Sequence, residues 1–129
     1  MGYVLPNGYD KLVSKAQLAE NGNTRMNDKY ELTVITKKLG DITLYRIRAL
    51  KDFSSISKGD LGGWIEKESN LSSDGNCWVS EDARVSGNAM VYGDAKVSGD
   101  AEVYGNAMVY GDAMVSGNTW VHGDAKVYG

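Results

Sequence analysis

Cysteine, proline, histidine and phenylalanine each occur once in this chain of 129 residues. A single cysteine excludes an intramolecular disulfide. No apolar run is long enough to cross a bilayer, and the first residues lack the layout of a signal peptide. The expectation is a cytoplasmic protein with no membrane partner. Walker, dinucleotide, zinc-ligand and nucleophile-elbow patterns are all absent. Basic residues are scarce in the second half: residues 61–129 hold 4 Lys/Arg against 10 Asp/Glu, whereas residues 1–60 hold 10 against 7. An acidic second half is a poor ligand for a phosphate backbone, so nucleic acid is not an expected partner.

What is abundant is glycine, 16 residues of it, and much of it is periodic. A valine recurs every six residues: Val79, Val85, Val91, Val97, Val103, Val109, Val115, Val121 and Val127. A small residue, nearly always alanine, stands two places before each. From Val85 onward glycine stands two places after, followed by Asp or Asn until the chain ends at Gly129. A helix cannot keep a period of six, because its apolar stripe recurs at about 3.6 residues. In A-x-V-x the alternation of a strand sends Ala and Val to one side and the x residues to the other. Gly with Asp or Asn then makes a bend. Strand and bend repeated, with one side always small and apolar, predict an all-β solenoid around a thin dry core. Three units close a three-sided coil of about 18 residues, with coils stacked at ~4.8 Å.

Before the repeats, Asp10 can cap a short helix over Lys11 to Glu20, with Asn21-Gly22 as its stop. Tyr30 to Thr36 and Ile42 to Ala49 are rich in β-branched and aromatic residues and predict a β-hairpin turning at Lys37 to Asp41. Helix and hairpin together are read as an N-terminal α+β cap, residues 1–60, on a solenoid of residues 61–129, since solenoid ends need covering. Asp52 to Asp60 is a loop with two apolar anchors, Phe53 and Ile56. The six-residue register extends back from Val79 if two extra residues are placed within Ser72 to Asn76. Ile65 and Leu71 then take the valine place, and Gly63, Ser69 and Cys77 the small one. Cys77 is therefore expected inside, as a packed residue and not a reactive thiol.

The segments LGGWIEKESNLS and GNCWV, followed by A-x-V-[YS]-G-[ND] units, resemble a group of small bacterial and phage-borne hexapeptide-repeat proteins often labelled transferases on the strength of the repeat. The resemblance covers roughly Leu44 to Gly129 and implies a left-handed β-helix. It also implies location in a bacterial host cell and a phage or prophage origin, hence a role in binding and inhibiting a host protein such as a defence component. The acyltransferases of this fold act as trimers with a histidine base at the subunit groove, which would fall on His122. Their repeat places glycine directly after the aliphatic residue; here it stands two after.

Residues 18 apart stack, so the outward positions sort into three faces. One carries Met90, Tyr92, Met108, Tyr110, Lys126 and Tyr128. A second carries Arg84, Ser86, Glu102, Tyr104, Trp120 and His122. The third carries Trp78, Ser80, Lys96, Ser98, Met114 and Ser116. Tyrosine and methionine are enriched at interfaces, so the first face is the expected contact surface, for a homodimer in the simplest case and for a protein partner. The alternative is that its tyrosines only support one another. Trp64 and Trp78 fall near the hairpin and are expected beneath it. The Asp and Asn residues at the bends are read as bend formers, without a metal, and no cofactor is expected. The leading expectation is a non-enzymatic interaction module; the alternative is acyl transfer through His122.

Overall fold

The computed structural model describes residues 27–129, and the helix expected over Lys11 to Glu20 lies outside them. Among the described residues the elements are β throughout, apart from one 3-10 turn at Glu68–Asn70. Two long strands come first, β1 (Tyr30–Leu39) and β2 (Ile42–Ala49), then β3 (Leu61–Ile65). Nine short rungs follow: β4 (Trp78–Val79), β5 (Arg84–Val85), β6 (Met90–Val91), β7 (Lys96–Val97), β8 (Glu102–Val103), β9 (Met108–Tyr110), β10 (Met114–Val115), β11 (Trp120–Val121) and β12 (Lys126–Tyr128).

The rungs stack into three parallel walls of a solenoid of about four turns. One wall is β4-β7-β10, one is β6-β9-β12, and one is β3-β5-β8-β11 with the hairpin added at its edge. Val109 pairs with both Val91 and Val127, so valines 18 apart do share a wall. Inside, every alanine and valine from Ala83 to Val109 is fully buried, which leaves the apolar core the width of two small side chains. The backbone closes its own bonds from coil to coil, for example Trp78 N–H to Ala95 O at 3.1 Å and Ser80 N–H to Val97 O at 2.9 Å. At a bend such as Gly105 the backbone has φ +72°, and an added Cβ would stand 2.8 Å from the Gly123 nitrogen. Glycine is needed there both for its dihedral and for the closeness of the next coil. The first bend departs from this: Glu81 takes the glycine place at φ 59°. Its carboxylate accepts the Gly99 N–H at 2.6 Å, which fixes the strained residue to the coil beside it.

The two extra residues fall where the register requires them. Ile65 pairs with Val85 and Leu71 with Val91, both offset by 20, while Trp78 pairs with Lys96, offset by 18. The slack is taken up by the bends between Ser73 and Asn76. Ser69 does not face inward as the repeat predicts. It is exposed, and Asn70 is the residue that turns in, fully buried. The 3-10 turn rotates the chain by one position there. Asn70 then serves as a polar plug: its Oδ1 accepts the Glu66 and Lys67 N–H groups, and its Nδ2 donates to Gly87 O and Ala89 O.

The hairpin is longer than the residue chemistry suggested. β1 continues through Lys37 and Lys38 to Leu39, so the turn is only Gly40-Asp41, with Gly40 at φ +63°. The lysines are strand residues because alternation lets their side chains stand at the exposed end of the ribbon. β2 pairs antiparallel with β3, extending one solenoid wall. Tyr30, Leu32, Ile47 and Ala49 close over the first coil and join its core. Trp78 is buried beneath this layer, edge-on to Tyr30 at 6.5 Å and to Phe53 at 5.3 Å. The loop anchors Phe53 and Ile56 bridge to each other and pack on the same core.

Tyr30 ties the hairpin to the coil. Its hydroxyl lies 2.8 Å from Glu68 O and 2.6 Å from Leu71 O. Burial, with the Glu68 and Cys77 charges adding to it, holds the phenol well above its usual range. Tyr30→Phe is expected to cost about 1–2 kcal/mol in urea unfolding at pH 7, the loss of a buried donor from two carbonyls. The folded state keeps this proton while an unfolded tyrosine loses it above its ordinary value of 10.0. The stability from Tyr30 is therefore complete below pH 10 and declines above it, so the gap between wild type and Tyr30→Phe should narrow in alkali.

Candidate functional site

Three places bring chemistry-bearing side chains together. The first is the β6-β9-β12 wall. Tyr92 and Tyr110 stack at 5.0 Å with planes 4° apart, and Tyr110 and Tyr128 at 5.2 Å and 19°. The six-residue period sets this up, since each tyrosine follows its inward valine by one position and its neighbour lies one coil away. Tyr92 also donates to Met108 Sδ at 3.8 Å. Met90 is 41% exposed and Tyr128 67%, so the ladder and its methionines present a flat apolar surface. All six residues expected on this face lie on this wall, Lys126 included.

The second place is His122. It lies on the wall of β3, β5, β8 and β11, exposed, with its ring stacked on Tyr104 at 5.2 Å. Trp120, 64% exposed, is two residues away on the same face. One coil back, Arg84 and Glu102 form an ion pair across adjacent rungs. No described side chain hydrogen-bonds the His122 ring, so among the described residues it has a platform but no carboxylate to orient it. At the hairpin end of this wall Lys37 lies 4.4 Å and Arg46 5.1 Å from the centre of the Trp64 ring, which is buried.

The third place had no sequence signal. Lys29 is fully buried, with Nζ 3.1 Å from Ser72 O and 3.4 Å from Cys77 Sγ, over the Phe53 ring at 5.0 Å. Burial lowers the Lys29 pKa, opposed by the Cys77 sulfur. Burial likewise raises the Cys77 thiol, opposed by Lys29. Cys77 faces inward as its place in the repeat requires, and a thiol held protonated and out of solvent is a poor nucleophile. Lys29 instead fastens β1 to the carbonyl of the inserted bend. Its burial depends on a contact 43 residues away, which no local pattern reveals.

These features define the class: a three-walled β-solenoid built on hexapeptide rungs, with an aromatic ladder on one wall and a lone histidine on another. Residues 83–99 and 109–123 match the family model described as the YdcK beta solenoid repeat. The chain is also similar to the "Uncharacterized acetyltransferase YdcK" of Escherichia coli (strain K12), 37% identical over 51 residues. That stretch is 40% of this chain and 15% of the E. coli protein. The kinship is distant and covers a small part of the relative.

Proposed function

We propose that this chain is the repeat region of a left-handed β-helix acyltransferase that acts as a homo-oligomer, with His122 as its general base. The likeness of the chain to a protein named as an acetyltransferase carries this reading. The placement of His122 agrees with it. The residue is exposed on its wall, beside Trp120 and against Tyr104. A second copy laid against that wall would supply the missing side of an acyl-donor groove and a group to orient the imidazole. The expected result is a trimer by light scattering that binds acetyl-coenzyme A. His122→Ala should retain binding and lose acyl transfer by about 100-fold or more, the usual contribution of a general base. A monomer or dimer that binds no acyl donor overturns the reading.

The tyrosine ladder favours a second reading, a non-enzymatic module that self-associates or holds a protein partner through Met90, Tyr92, Met108, Tyr110, Lys126 and Tyr128. Inhibition of a host protein is the form this takes if the chain is phage-borne. The same sizing experiment separates the two. Under the second reading, Met108→Ala with Tyr110→Ala dissociates the oligomer or the complex, and His122→Ala changes nothing.

A further inference from the structure

The tyrosine ladder stops one rung short of the inserted bend, and the reason lies in two residues. Leu71 pairs with Val91, so positions 70 and 72 stand above Met90 and Tyr92. Asn70 has turned into the core, and position 72 holds a serine. Neither presents a large side chain outward, and the ladder lacks a fourth ring. What remains beside Tyr92 is an open pocket of about 480 Å³, bordered by Glu68, Leu71, Ser72, Ser73 and Met90. Its size is within the usual range of small-molecule sites, about 300–1,000 Å³.

We propose that this cavity binds the pyranose ring of an uncharged carbohydrate. Tyr92 is braced on one side by Tyr110 at 5.0 Å and by its bond to Met108, so its other side is a fixed platform. Such a face is electron-rich and meets the weakly positive C–H face of a sugar. Leu71 and Met90 extend the apolar floor. The polar border suits hydroxyl groups. Glu68 Oε2 already accepts from Asn27 Nδ2 at 2.9 Å, while Oε1 takes no bond from the described residues. Ser69 and Ser73 are exposed at the rim and add hydroxyls that both donate and accept. Among the described residues no lysine or arginine borders the pocket, and a carboxylate does, which disfavours phosphorylated ligands. Four polar residues on the border disfavour a wholly apolar ligand. The site is on a different wall from His122, so it is independent of acyl transfer there, and it shares Met90 and Tyr92 with the contact surface of the second reading.

The test is calorimetry and saturation-transfer NMR with methyl pyranosides of glucose, galactose, mannose and N-acetylglucosamine. At least one should bind, with signal transfer strongest on one ring face. Tyr92→Ala should weaken it about tenfold, the scale of an aromatic stacking contact. Ser72→Tyr should supply the fourth ring, fill the space and abolish binding, with folding checked by circular dichroism. If that variant does not fold, Tyr92→Ala and Glu68→Gln decide the matter, each being expected to weaken binding. The proposal is overturned if no pyranoside binds, or if binding is unchanged in folded Ser72→Tyr or in Tyr92→Ala. It is equally overturned if p-cresol or indole binds there and the sugars do not, since the space would then belong to an aromatic side chain of a protein.

Discussion

Gly62→Ala should lower the stability of the fold by about 3 kcal/mol, the upper end of the range for overpacking a core. An added Cβ at Gly62 would stand 2.6 Å from Val79 O, 2.7 Å from Ile47 Cγ1 and 2.7 Å from Trp78 Cζ2. None of these can easily yield. Val79 O is backbone of the first coil, Ile47 is fully buried in β2, and Trp78 is wedged between Tyr30 and Phe53. Gly62 has no left-handed dihedral, so the cost is purely steric. The comparison that isolates this is Gly117→Ala. Gly117 has φ +67°, but a Cβ there meets nothing within 4 Å. Its cost should be only the backbone term of about 1–2 kcal/mol. Urea midpoints at constant m-value provide the measurement. Equal losses in the two variants would mean that the hairpin does not press on the first coil as closely as these distances require.

The same contrast shows which parts of the fold were legible in the residues. A repeat states its own geometry: once Val91, Val109 and Val127 share a wall, the stacking of Tyr92, Tyr110 and Tyr128 follows by arithmetic. So does the placing of His122 on Tyr104. Even the two-residue insertion could be located, because the small-then-valine pattern resumes in a new phase after it. Ser69 escapes the pattern because a 3-10 turn changes which residue faces in without changing the count. Only the four backbone partners of Asn70, on segments 17 to 19 residues away and on its own turn, explain why an amide replaces a small residue there. Lys29 was silent for the same reason, since a buried lysine depends on what the fold brings to its nitrogen. The candidate sites were half legible. Positions on a regular wall can be computed from the period, but a cavity arises where regularity fails. The one beside Tyr92 needed the inward turn of Asn70 to be seen.

Glu31→Ala is the second large effect expected, about 3–5 kcal/mol, because it breaks a buried ion pair from one side. Glu31 on β1 is 6% exposed and Arg48 on β2 is 7% exposed, and their side chains are hydrogen-bonded across the directly paired positions of the hairpin. Taking a carboxylate and a guanidinium out of water costs several kcal/mol for each, which their attraction offsets only while both are present. Removing Glu31 takes the β1 carboxylate away from a guanidinium that stays buried. Removing both ends should be much milder. The double variant Glu31→Leu, Arg48→Met replaces the pair with apolar side chains of similar length, on the hairpin face opposite Tyr30, Leu32, Ile47 and Ala49. It should recover most of the stability lost in Glu31→Ala and fall within about 1–2 kcal/mol of wild type. The strands would then still pair, and the pair's role would be to fix β1 against β2 in the register that sets Lys29 and Tyr30 over the first coil. A double variant as unstable as Glu31→Ala would show instead that the two charges hold the hairpin together outright. Chemical unfolding of the three proteins, followed by tryptophan fluorescence, to which Trp64 and Trp78 at the hairpin junction contribute, distinguishes the outcomes.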